Sequence, residues 1–164
     1  TGTYRDGPFQ RYGEGHDLAD LALETLADLP GLVVRAPRGV RALGAELFEG
    51  QELAGRAVLV DTGWARHFGT PAYGSGHPFL TRAAAECLVE GGAVLAGIDS
   101  LNIDATATGE RPVHTLLLER DVRIVEHLVN LERLPEKGFR FFAVPPKVRG
   151  MGSFPVRAFA VLES

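Results

Sequence analysis

The chain opens with Thr1-Gly2-Thr3-Tyr4-Arg5-Asp6-Gly7-Pro8-Phe9-Gln10. One carboxylate, Asp6, stands between a phenol, Tyr4, and an amide, Gln10, where histidines would make better metal ligands. Far downstream, residues 112–130 carry His114 and Glu126, with a helix and a strand expected between them. An imidazole with a carboxylate suits zinc or manganese, and Asp6 adds a third oxygen donor if the N-terminal segment folds over that helix. Taken alone, the pair reads as well as a partly buried helix histidine and a surface acid.

Working outward, a chain of 164 residues is the size of one domain and long enough to bury a core. Hydrophobic residues at 45% and charged residues at 23% are ordinary for a globular protein. A net charge of -4 argues against nucleic acid, which requires a basic face. No run approaches the roughly 18 apolar residues of a membrane span, and no signal-peptide pattern opens the chain. The single cysteine, Cys87, excludes an internal disulfide and fits the cytoplasm; it falls in an apolar helical stretch and reads as core filler.

Leucines in residues 17–26 recur near helical spacing, with Pro30-Gly31 closing that helix, and residues 32–34 form a short β-like run. Residues 42–48 suggest a helical turn or two. Ala57-Val58-Leu59-Val60-Asp61 is the clearest buried strand. Glycines and prolines keep residues 66–78 irregular. Thr81 caps a helix over residues 82–90, and a strand follows at residues 93–98, so strand, helix and strand make a parallel βαβ unit. Pro112 starts a second helix running to about Arg120, with a strand at residues 122–125 and a turn or short helix at 128–134. Residues 139–144 and 155–162 read as two further strands flanking a basic, glycine-containing loop.

The first ten residues resemble the HxGTHxDxPxH motif of the cyclase-type metal-dependent hydrolases, the group containing bacterial kynurenine formamidase and isatin hydrolase. Later segments match in order: Val58-Leu-Val-Asp-Thr-Gly-Trp64, Gly97-Ile-Asp-Ser-Leu-Asn-Ile-Asp104, Arg111-Pro-Val-His114, Ile124-Val-Glu126 and Phe154-Pro-Val-Arg157. The resemblance implies an α/β fold, a single β-rich swivelling β/β/α domain with a mixed sheet, over residues 1–164 without the family's N-terminal leader strands. It also implies a homodimer or higher homo-oligomer with sites near the interface, and a small-molecule substrate. Position by position, the motif's first histidine would precede Thr1. Its second falls on Tyr4, its aspartate on Asp6 and its last histidine, a proton shuttle, on Gln10. The downstream ligands fall on His114 and Glu126. The implied metal set is thus Asp6, His114 and Glu126, for zinc or manganese, with Tyr4 donating to the oxyanion. Glutamine cannot accept and return a proton, so Gln10 leaves that role open.

Loops at strand ends supply the remaining candidates. His67 and His77 are replacement acids or bases. Trp64, Tyr73, Phe79 and Arg157 are candidate substrate contacts, and each aromatic reads equally as a pin for its loop. Asp99, Asn102 and Asp104 follow a strand and read equally as turn formers. Lys147, Arg149, Arg5 and Arg11 offer charge to an anionic substrate. The resemblance implies a hydrolase acting on a small cyclic or aryl amide, lactam or lactone. Two alternatives stand beside it: a metal-independent cyclase, isomerase or lyase using Tyr4 and a loop histidine, and a non-catalytic binding protein on the same scaffold.

Overall fold

An unbroken apolar run suits a strand covered on both faces. In the computed structural model, which describes residues 2–7, 9, 17–107 and 109–163, the run at residues 57–61 is such a strand, with every residue buried. It lies in an eight-stranded mixed sheet. In chain order the strands are β1 (Tyr4–Asp6), β2 (Leu29–Arg35), β3 (Ala42–Leu43), β4 (Ala57–Asp61), β5 (Phe79–Leu80), β6 (Leu95–Ile98), β7 (Arg123–Glu126), β8 (Phe139–Phe142), β9 (Ser153–Pro155) and β10 (Phe159–Leu162). The sheet order is β10-β8-β2-β4-β6-β7-β1-β9, and β3 pairs with β5 in a separate two-stranded ladder. Strands β2, β4, β6 and β7 run parallel, while β1, β8, β9 and β10 join antiparallel.

The connection between β9 and β10 curls this sheet. Laid flat, eight strands at about 4.8 Å spacing put the two edges roughly 34 Å apart. Yet β9 and β10 occupy opposite edges and are joined by residues 156–158 alone, four Cα steps that reach at most about 15 Å. The edges must therefore approach each other. Leu29, Val33, Leu59, Leu95, Val125 and Phe139 fill one face, with Val156, Ala158 and Ala160 of the closing segment packed against them.

The opposite face carries the helices α1 (Arg82–Glu90) and α2 (Pro112–Glu119). Val58, Val60, Ala96, Ile98 and Ile124 meet Ala84, Leu88, Val113 and Leu117 there. Period-two alternation sends Val58 and Val60 to the helices and Ala57 and Leu59 to the other face. Thr81 caps α1 as expected, its side chain accepting from the Ala84 N–H at 3.3 Å. Cys87 is half-buried against this core.

Five local expectations are refined or corrected. Residues 17–26 form turns and a short 3₁₀ segment, Leu23–Thr25, in place of an α-helix. Asp17 Oδ1 takes the Ala19 N–H at 2.9 Å, giving the backbone a local alternative to helix, while Leu18, Leu21 and Leu26 still pack together with Phe154. Pro30-Gly31 does not stop a helix; it lies inside β2, where a Cβ on residue 31 would sit 1.9 Å from the Phe139 ring. Residues 42–48 divide into β3 and a 3₁₀ turn, and residues 155–162 divide into the ends of β9 and β10. Within residues 66–78 a 3₁₀ turn spans Pro71–Gly74, and another, Trp64–His67, leads into the loop.

Candidate metal centre

Strand register brings the N-terminal carboxylate to the downstream pair. Tyr4 lies opposite Glu126 and Asp6 opposite Ile124 in the antiparallel β1–β7 ladder. Directly paired residues share a face, so Tyr4, Asp6 and Glu126 all point toward the helical layer. There α2 buries Val113, His114, Leu117 and Leu118, one helical stripe, and delivers His114 onto the ladder.

His114 Nε2 lies 3.4 Å from Asp6 Oδ2 and 3.7 Å from Glu126 Oε1. All three residues are at most 1% exposed, and their donor atoms lie within 4.8 Å of one another. Both Asp6 oxygens and His114 Nε2 nevertheless lack a hydrogen-bond partner among the described residues. A buried polar atom left unpaired costs about 1–3 kcal/mol, more when charged; one shared ion would satisfy all three, and without it a proton on His114 faces Asp6. Two donors bound to one ion at about 2.1 Å and at a tetrahedral angle stand roughly 3.4 Å apart, close to the His114–Asp6 and His114–Glu126 distances. Two carboxylates and an imidazole form a donor set that fits zinc or manganese.

The neighbouring bonds hold this arrangement. Ile103 N–H donates to Glu126 Oε1 at 2.5 Å, and the Tyr4 hydroxyl donates to Glu126 Oε2. Burial and the Glu126 charge push the Tyr4 phenol well above its ordinary range, so Tyr4 remains a donor. Burial likewise raises Glu126. For His114, burial opposes protonation, but the bond to Asp104 and the Asp6 and Glu126 carboxylates outweigh it and lift the pKa to about 9 when no ion is present. The Tyr4 hydroxyl is engaged by Glu126, so the expected bond to an oxyanion would require that contact to be exchanged. Gln10 lies outside the described residues.

Two residues join the site that were not singled out for it. Asp104, read from sequence equally as a turn former, accepts from the N–H groups of Val113 and His114 at 2.8 and 2.9 Å and contacts His114 Nδ1 at 2.6 Å. His127, next in chain to Glu126, is buried with Nδ1 3.0 Å from the Tyr73 hydroxyl, and burial lowers its pKa. Its ring lies 5.1 Å from Tyr4, and its backbone holds φ +57, a strained conformation for histidine. Position next to Glu126 was the only sequence signal for His127, since alternation along a strand does not say how a chain turns after it.

The remaining candidates spread around the mouth. Tyr73 joins the site through His127, and Trp64 Nε1 donates to the Tyr73 carbonyl at 3.1 Å. His67 stacks on Trp64 with ring centroids 4.6 Å apart and stands 3.1 Å from Arg66 Nε. His77 is buried, its Nδ1 3.2 Å from Ser100 Oγ and its Nε2 3.3 Å from Thr106 Oγ1, with Phe79 at 6.4 Å; none of these contacts reaches the triad. Burial lowers the His77 pKa. Arg157, Lys147 and Arg149 are exposed. Arg5 points away from the triad and is fully buried.

A cavity of about 610 Å³ opens at the C-terminal ends of β4 and β6, lined by Asp61, Asp99, Arg38, Arg66, Phe68 and Val129 among others. No triad residue lines it. Phe68 links the two, its ring 5.3 Å from Tyr73 and 6.5 Å from His127. The Asp99 carboxylate, its pKa raised by burial, accepts from Thr62 N–H and Oγ1 at the cavity floor.

The Cyclase family model matches residues 1–105, which include Asp6. This chain belongs to the Cyclase family. It is 32% identical to the isatin hydrolase of Roseibium aggregatum over 158 residues, covering 89% of this chain and 58% of that one. It is 38% identical to the kynurenine formamidase of Polaromonas naphthalenivorans over 65 residues, 40% of this chain and 29% of the relative. The matches thus span less than two thirds of those relatives' length. A solved isatin hydrolase bound to the product analogue thioisatinate superposes with a TM-score of 0.86 at 26% identity, covering 99% of this chain and 72% of that one. A structure described as a potential metal-dependent hydrolase with cyclase activity superposes with a TM-score of 0.82 at 25% identity, covering 96% and 76%. This cyclase-family chain therefore has the mixed-sheet fold that the first ten residues and later motifs implied.

Proposed function

We propose that this chain is the core of a metal-dependent hydrolase acting on a small cyclic or aryl amide, lactam or lactone. The observation that carries this reading is the convergence of buried Asp6, His114 and Glu126 donor atoms within 4.8 Å of one another, the Asp6 oxygens and His114 Nε2 without a hydrogen-bond partner among the described residues. Asp6, His114 and Glu126 would hold one zinc or manganese ion. Such an ion, when bound, supplies Lewis-acid activation to a carbonyl and to the attacking water.

The chain's own residues supply the rest. The Tyr4 hydroxyl and the Ile103 N–H each bond one oxygen of Glu126, holding Oε1 3.7 Å from His114 Nε2. Phe68, Tyr73 and His127 make an aromatic wall between the cavity and the triad, suited to a flat ring and to excluding bulk water. The names of the matched relatives, isatin hydrolase and kynurenine formamidase, support an aryl lactam or formamide as the substrate class.

Elemental analysis of the purified protein, before and after a chelator, is the direct test. About one equivalent of zinc or manganese is expected, lost in His114→Ala, together with hydrolysis of an arylformamide or isatin-type lactam. Absence of metal from both proteins would sink this reading and favour metal-free chemistry by Tyr4 and a loop histidine, or a binding role.

A further inference from the structure

Asp104 makes three contacts that meet on one element. Its two oxygens take the N–H groups of Val113 and His114 at the start of α2, where the formal N-cap residue, Arg111, provides no side-chain bond. One of those oxygens also contacts the imidazole Nδ1 of His114 at 2.6 Å. Asp104 is itself 1% exposed, and its own N–H donates to Asn102 Oδ1 at 2.9 Å. Both Asp104 oxygens accept from backbone N–H groups, so in the Nδ1 contact the imidazole is the donor. With Nδ1 protonated, a neutral His114 keeps its lone pair on Nε2, the atom facing Asp6 and Glu126.

We propose that Asp104 is a positioning residue that sets the His114 tautomer, and through it the metal affinity of the Asp6–His114–Glu126 centre. The proposal rests on the metal-dependent reading above. It assigns the loop after β6 a double part, because Ile103 N–H fixes Glu126 while Asp104 fixes His114. A carboxamide at residue 104 has one acceptor oxygen for contacts that now use two, so the Nδ1–H loses its fixed acceptor. Where the NH₂ faces Nδ1, the ring proton moves to Nε2 and no lone pair remains for an ion.

The experiment compares wild type with Asp104→Asn, using Co²⁺ and Zn²⁺ alone as probes. Affinity is read by competition with a chromophoric chelator and ligand geometry by the visible Co²⁺ spectrum. Asp104→Asn is expected to bind about 10- to 100-fold more weakly with an altered spectrum. Thr81→Ala, which removes the corresponding cap of α1, is expected to leave affinity unchanged, separating positioning from helix capping. Wild-type affinity and spectrum in Asp104→Asn would overturn the proposal. If Asp104→Asn does not fold, Asn102→Ala decides. It keeps the carboxylate but loosens it, and a loss of several-fold supports the proposal while no loss overturns it. If wild type binds no ion, the metal reading fails separately. ¹⁵N NMR of His114 above its metal-free pKa then still tests Asp104. Nδ1–H in wild type and Nε2–H in the variant support the tautomer role, and one tautomer in both refutes it.

Discussion

At the scale of single residues, the triad works through atoms that its neighbours leave unpaired. Tyr4 stands where the family motif has a ligand histidine, and its hydroxyl holds Glu126. Tyr4→Phe removes that donor with little change of shape, so unfolding in urea should show a loss of about 1.5–3 kcal/mol in the metal-free protein. Unchanged stability would mean that Glu126 finds another partner. His77 provides a pH signature away from the centre. Burial lowers its folded pKa below the ordinary 6.5, so the unfolded chain binds more protons between the two values. The His77 contribution to stability should therefore fall as pH drops through and below about 6.5, against the opposite contribution of His114. The difference between wild type and His77→Gln in melts at fixed ionic strength isolates the His77 part. Asp6, His114 and Glu126 were legible in the sequence because a motif carried them. Asp104 and His127 were harder, since an aspartate in a turn and a histidine after a strand have commoner uses.

At the scale of elements, short-range chemistry fixed what long-range packing did not disturb. The strand at residues 57–61 and the helix at 82–90 form where an apolar run and a threonine cap direct them. Residues 17–26 did not become helix, because leucines spaced three to five apart serve a pair of turns equally well once Asp17 satisfies the backbone. Gly31 shows tertiary packing overriding punctuation. It reads as a helix stop, yet it is a strand residue kept small by the Phe139 ring. Gly31→Ala must displace that ring from a core with no slack, and a cost of about 1–3 kcal/mol or more is expected in equilibrium unfolding. A neutral result would show that β8 moves away from β2 freely.

At the scale of the whole molecule, the centre joins elements far apart in sequence: β1 at residue 6, α2 at 114 and β7 at 126. An ion that binds only the folded chain stabilises all three together. At 100 times its dissociation constant it should add about 2.7 kcal/mol, seen as a chelator-reversible rise in Tm. A Tm indifferent to zinc, manganese and chelator would argue against a centre of this kind. By itself the sequence determined the family, the α/β class, the buried parallel strands and the three candidate ligands, because apolar periodicity, caps and a spaced motif are local properties. Only the tertiary structure decided that Tyr4 binds Glu126, that Asp104 holds His114, and that the sheet curls until its edges approach. Those outcomes depend on strand register, on which side chain fills the last unsatisfied bond, and on a three-residue link between opposite edges. None of these is encoded within reach of a single helix or strand.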